Sequence, residues 1–298
     1  MRWIRESEPD SHISRQFRLA MIITLAGNIL LAGIKLAAYY LSDSTAIYAD
    51  AINSISDVLY SIMLIVGFIY SLRPPDMGHP QGHSRFEPFL ALFVTLSMMV
   101  AGFEALRVSV VRYLEGGAII DTGIPLLVLV FSVALKGFMF FMIKNISRDI
   151  SSPGLNATAI DNLTDVLTSL AVILGVLGSN IISPLLDPIA GIAVALWIFR
   201  AVWKTAKENL GYLTGAGADE NLRQQILDSV KDIKGVQNVH HIVADYAGPK
   251  LLVEMHVNVD GSIPLAKAHE TCDQVTTAIE ELPQVDRAYV HVEPLGYQ

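Results

Sequence analysis

Ala49-Asp50-Ala51-Ile52-Asn53-Ser54-Ile55-Ser56-Asp57-Val58 decides how this chain is read. The stretch lies inside a long apolar run of membrane-spanning length. Asn53 and Asp57 are four residues apart and so share one face of a helix. A second stretch, Asp161-Asn162-Leu163-Thr164-Asp165, repeats the spacing in another apolar run. An ionised carboxylate at the centre of a bilayer costs about 3 kcal/mol or more, so such residues face a partner or serve a function. Two helices offering two oxygen-bearing side chains each to a common point are expected to hold a divalent cation and to move it.

Composition agrees with a membrane setting. The chain has 298 residues, 52% hydrophobic and 17% charged, with a mean hydropathy of +0.45. A soluble protein carries more charge. The net charge of −8 leaves no basic stripe for phosphates and excludes nucleic acid as a partner. The single cysteine, Cys272, excludes an internal disulfide framework and a cysteine zinc cluster, and reads as a core or helix-surface residue. Residues Met1 to Gln16 are polar, with no cleavage pattern after the first apolar run, so no signal peptide is expected.

Six apolar runs each reach the roughly 20 residues that a span needs. They lie near Phe17–Leu41, Thr45–Leu72, Phe86–Tyr113, Gly123–Ile143, Leu155–Ile182 and Leu185–Trp203. With six crossings, Arg2, Arg5, Arg15, Arg18, Arg73, Arg85, Lys144, Arg148, Arg200, Lys204 and Lys207 fall on one side, which places both termini in the cytoplasm. Lys35 and Lys136 sit within apolar runs and are expected to snorkel or to pair inside the bundle. After Lys207 the composition becomes that of a small soluble domain. Helical periodicity over Asp219–Asp232, strands at Val236–Ala244 and Leu251–Val259, an amphipathic helix at Leu265–Leu282 and a strand at Arg287–Val292 give the order αββαβ. The fold class is thus an α-helical membrane protein: a tail (1–14), a six-helix transmembrane domain (15–208) and a cytoplasmic α+β domain (209–298).

Three groups carry metal chemistry. Asn53, Asp57, Asp161 and Asp165 form an all-oxygen set, and no histidine falls within the predicted spans. Zinc favours sites with histidine or cysteine; carboxylate and carboxamide oxygens suit harder ions such as Mn²⁺. Three carboxylates around one divalent ion leave an excess negative charge. After the ion departs they repel one another and should take up protons, which is an antiport cycle. In the connection after the second run, Asp76, His79 and His83 have the spacing of a compact ligand set on a Gly- and Pro-rich loop. The soluble domain carries His240, His241, His256, His269 and His291, which with Glu293 would make one or two metal sites.

The whole pattern resembles the cation diffusion facilitator family of divalent-metal/proton antiporters. The residues that carry the resemblance are the two four-spaced pairs, the loop Gly78-His79-Pro80-Gln81-Gly82-His83, Leu186-Asp187-Pro188 and the trailing αββαβ domain. The resemblance implies a homodimer, with Asn53, Asp57, Asp161 and Asp165 as transport site and Asp76, His79 and His83 as loop site. It also implies a cytoplasmic site from His240, His256, His269, His291 and Glu293. Zinc-transporting members put a histidine where Asp161 stands here, so the pairs resemble the bacterial manganese-exporting branch. The histidine-rich soluble domain resembles the zinc/iron branch.

The expectation is therefore a cell-membrane exporter of divalent cations. Mn²⁺ is the first choice, with Zn²⁺, Fe²⁺, Co²⁺ and Cd²⁺ as alternatives, driven by protons and without enzymatic activity. An intramembrane aspartyl protease would need two carboxylates, not two matched pairs and a histidine loop. A membrane metal sensor or scaffold without transport would tolerate loss of Asp57 or Asp161.

Overall fold

The computed structural model describes residues 11–42, 45–116, 123–181 and 183–296. Six long helices come first: α1 (Ser11–Ser42), α2 (Thr45–Ser71), α3 (Phe86–Leu114), α4 (Ile124–Asp149), α5 (Pro153–Ile181) and α6 (Leu186–Thr214). Four of them contain stretches long and apolar enough to cross a membrane: Ser11–Ala38, Phe86–Leu114, Leu126–Asp149 and Pro188–Thr214. α2 adds a shorter apolar stretch, Asp57–Ser71. α2 and α5 are the helices that carry the acidic pairs. The sixth helix runs eleven residues past the end of the predicted apolar run at Trp203.

The bundle turns apolar side chains outward. Leu30, Val66, Phe103, Leu127, Phe141 and Trp203 are exposed, a surface suited to lipid. Polar groups are buried inside, among them Asn28, Lys35, Ser61, Glu87, Lys136 and Asn162. α4 packs on α5, α1 on α2 and on α4, and α3 on α5. Phe17, Phe68, Met98, Met139, Ile143, Leu155 and Ile198 belong to one apolar core.

The start of α5 is built by local chemistry. Ser152 caps the helix, its Oγ accepting from the N–H of Leu155 at 3.1 Å, with Pro153 in the first turn. Oε1 of Glu87, on α3, accepts from the Ser152 hydroxyl and, at 3.1 Å, from the N–H of Gly154. Gly154 is required there, because a Cβ would come within 2.6 Å of the Phe68 ring.

The chain divides into two compact units, one ending at Asn209 and one beginning at Leu210. The second holds α7 (Glu220–Val230), β1 (Asn238–Tyr246), β2 (Leu251–Val259), α8 (Leu265–Glu280) and β3 (Val285–Pro294). Asp219 caps α7 by accepting from Leu222 N–H at 2.8 Å. The sheet order is β1-β2-β3, with β1 antiparallel and β3 parallel to β2. Val253 and Met255 of β2 meet Leu222, Ile226, Val275 and Ile279 of the two helices in the core. By strand alternation, Glu254 and His256 stand on the opposite face of the sheet. β2 has the predicted bounds, whereas β1 lies two residues later than predicted and β3 extends two residues further at each end, because pairing register rather than β-propensity sets strand ends.

Candidate metal centres

Asp57 on α2 and Asp161 and Asp165 on α5 line one cavity of about 310 Å³. Its wall also includes Thr24 and Asn28 of α1, Ser61 of α2, Ser97 and Glu104 of α3, and Thr158 and Asn162 of α5. No histidine lines it among the described residues. The i, i+4 spacing turns both α5 carboxylates to one side, and helix packing supplies the second wall. Asn53 lies on α2 one turn before Asp57; its side chain, like that of Asp50, lies outside those described.

Two further residues enter this site. Asn28 Nδ2 donates to Ser61 Oγ at 2.8 Å, and the Ser61 hydroxyl donates to the Asp57 carbonyl at 2.7 Å. That chain ties α1 to α2 at the level of the carboxylate. Lys136 of α4 places Nζ 2.7 Å from Asp165 Oδ2 and 3.2 Å from Asp57 Oδ2, with its side chain 6% exposed. The sequence suggested pairing for Lys136 but gave no partner. The ammonium also corrects the charge count. With Lys136 against Asp57 and Asp165, and Lys35 of α1 near enough to act on Asp57, the carboxylates keep less unbalanced negative charge than the sequence alone implied.

The loop ligands also come together. Asp76, His79 and His83 each offer an atom within 4.8 Å of the others. Asp76 Oδ1 accepts from the backbone N–H of His79 at 2.7 Å and of Gly78 at 2.9 Å, which folds the loop as an Asx turn. These bonds, His79's foremost, hold the Asp76 carboxyl below its usual pKa. His83 is 1% exposed, and its Nδ1 lies 3.3 Å from the carbonyl oxygen of Arg73. If Nδ1 carries the proton, Nε2 is the free lone pair, and it lies 3.4 Å from Asp76 Oδ2 without a hydrogen bond. A buried imidazole nitrogen beside a carboxylate, oriented by a carbonyl on its other nitrogen, is the arrangement that metal-binding histidines adopt.

In the second unit a bulge does the assembling. Register shifts between Val239 and His241, so His240 and His241 together oppose His256. Their rings lie 5.6 Å and 4.6 Å from the His256 ring. His291 pairs with His256 from the other side, and Glu293 with Asn258. Glu293 reaches His240 at 3.3 Å, His256 at 3.5 Å and His291 at 3.3 Å. His240, His256 and Glu293 form one ligand cluster; His241, Glu254 and His256 form another. The sequence missed Glu254, which only alternation on β2 would have pointed to. His269, placed with the first cluster by resemblance, does not join either one. It stands on α8, 74% exposed and 3.7 Å from Asp273, and lines a pocket with Glu293.

An apolar helical bundle with an acidic interior cavity, joined to a small α+β unit rich in histidine, is the build of a membrane carrier for metal cations. Comparison with known proteins gives the family. Residues 21–214 match the cation efflux transmembrane domain, and residues 218–295 match the cation efflux protein cytoplasmic domain. The chain therefore belongs to the cation efflux, or cation diffusion facilitator, family. It is a multi-pass membrane transporter of metal ions and not an enzyme. It is 34% identical over 279 residues to the uncharacterized transporter MJ0449 of Methanocaldococcus jannaschii, covering 94% of this chain and 99% of that protein. It is 26% identical to the manganese efflux system protein MneS of Bacillus subtilis, over 92% of this chain and 94% of that one. With the magnetosome protein MamM of Paramagnetospirillum magneticum it shares 28% identity over 91% and 86% of the two chains.

Proposed function

We propose that the protein exports Mn²⁺ from the cytoplasm in exchange for protons. The observation that carries this reading is the all-oxygen cavity: Asp57, Asp161 and Asp165 line it, and no histidine does among the described residues. Hard oxygen donors favour Mn²⁺ over Zn²⁺. Asn53, one turn before Asp57, is assigned as the fourth ligand. The similarity to a manganese efflux protein points the same way. Once the ion leaves, the carboxylates lose a counter-charge inside an apolar bundle, and returning protons are the cations that restore balance. The six helices all cross the membrane in this reading, with both termini cytoplasmic. Two copies form a homodimer in the cell membrane, and the ligand pairs are exposed alternately to each side.

The histidine-rich second unit favours a second reading, export of Zn²⁺ or Fe²⁺. His79 and His83 of the loop, and His240 and His256 beside Glu293, offer the nitrogen ligands that these ions prefer. Metal uptake into proteoliposomes under an imposed pH gradient separates the two. Under the first, Mn²⁺ flux exceeds Zn²⁺ flux, collapses with the pH gradient and is lost in Asp161→Ala. Zn²⁺ flux equal to or above that of Mn²⁺ selects the second reading. Flux indifferent to a pH gradient at fixed membrane potential refutes the proton coupling.

A further inference from the structure

The carboxylate cavity has a cation of its own. Lys136 Nζ stands 2.7 Å from Asp165 Oδ2 and 3.2 Å from Asp57 Oδ2. It joins α2 to α5, the helices that carry the proposed ligand pairs, from a third helix, α4. The ammonium offers three donors on a flexible four-carbon stem, so it can engage two carboxylates and also withdraw. Its side chain is 6% exposed, which leaves little water to substitute for the carboxylates. We propose that Lys136 is a tethered counter-cation. Its ammonium holds the Asp57 and Asp165 oxygens between transport cycles, and the cargo ion must displace it.

The geometry gives this competition its force. A divalent ion bound to the Asp57 and Asp165 oxygens would stand close to an ammonium that uses the same atoms, and like charges repel strongly where water is sparse. Binding of cargo therefore pushes Lys136 off, and return of Lys136 helps push cargo out. The arrangement also keeps the ligand-bearing helices bridged when no metal is present, in place of carboxylates repelling one another. Lys136 acts through the ligands and is a positioning residue.

This inference rests on the reading that the α2 and α5 carboxylates bind the transported ion, and the test keeps the two apart. The full-length protein is reconstituted in vesicles and Mn²⁺ uptake is measured for wild type, Lys136→Gln and Lys136→Arg, with equilibrium Mn²⁺ binding in detergent alongside. Removing the competitor should tighten Mn²⁺ binding in Lys136→Gln by about tenfold or more, equivalent to about 1.4 kcal/mol. KM should fall with it, and maximal flux should fall too, because release loses its internal displacer. Lys136→Arg keeps the charge and adds a bidentate grip, so its KM should equal or exceed that of wild type. A merely structural lysine would lower flux without tightening binding. Wild-type vesicles that take up no divalent metal would sink the transport reading itself. Wild-type uptake with unchanged or weaker Mn²⁺ binding in Lys136→Gln would overturn only this inference. If Lys136→Gln does not fold, Lys136→Arg decides: a KM well below wild type overturns the inference, and one at or above it supports it.

Discussion

Removing the Glu87 side chain should loosen the helix that carries the cavity carboxylates Asp161 and Asp165. Glu87 is 5% exposed, and its Oε1 accepts from both the Ser152 hydroxyl and the Gly154 N–H at the first turn of α5. Glu87→Ala leaves both donors without an acceptor. Each buried donor so orphaned costs about 1–3 kcal/mol, and water entering the vacated space recovers part of this. The expected destabilisation is about 2–4 kcal/mol. Glu87→Gln keeps an acceptor oxygen and should cost about 1 kcal/mol or less. Asp161 lies about 10 Å further along the helix axis, at about 1.5 Å per residue, so movement at the α5 start reaches the ligands. Equilibrium unfolding of the purified protein in mixed micelles, followed by tryptophan fluorescence, measures the loss. Metal flux in vesicles should fall in the order wild type, Gln, Ala. An alanine variant within about 0.5 kcal/mol of wild type, the usual range for surface changes, would refute the role given to this cap.

Other outcomes follow from the same geometry. Glu293→Gln removes the carboxylate shared by His240, His256 and His291, and should weaken metal binding to the second unit by about 10–100-fold or more in calorimetric titration. Glu254→Gln should leave that cluster intact while removing metal affinity that depends on His241. The Asp76 carboxyl is held below its usual pKa by the His79 and Gly78 amides. Its contribution to loop order is therefore full above the ordinary carboxylate pKa and is lost as pH falls through the lower folded value. Amide exchange at Gly78 and His79 should accelerate only under such acid conditions, and Asp76→Ala should abolish the dependence. In the soluble core, Ile279→Ala should cost about 2–5 kcal/mol of thermal stability in the second unit, since Ile279 is fully buried beneath the sheet.

Much of the architecture was readable because it rests on local patterns. Spacings of four residues place Asp161 and Asp165 on one side of α5 whatever else the chain does. Apolar length marks helices, and the Asp76-x-x-His79-x-x-x-His83 spacing closes within one short loop. The order of elements in the second unit was likewise legible. The assembly of its histidines was not. Adjacent residues of a regular strand face opposite ways, so no sequence argument places His240 and His241 together against His256. The bulge at that point does so. His269, grouped with Glu293 by resemblance, stands on α8 beside Asp273 and lines a pocket with Glu293, a proximity that helix-on-sheet packing creates.

Composition and periodicity by themselves determined that this chain is a helical membrane protein with a small α+β unit, and that paired carboxylates lie in its interior. Those properties depend on hydrophobic burial and on helix repeat, which are functions of neighbouring residues. Only the tertiary structure decided what the carboxylates meet. Lys136 is 79 residues from Asp57 and 29 from Asp165 in the chain, and it reaches both because α4 packs on α5. Pairing at such separation is fixed by which helix faces touch. That choice sets which charges meet in the cavity.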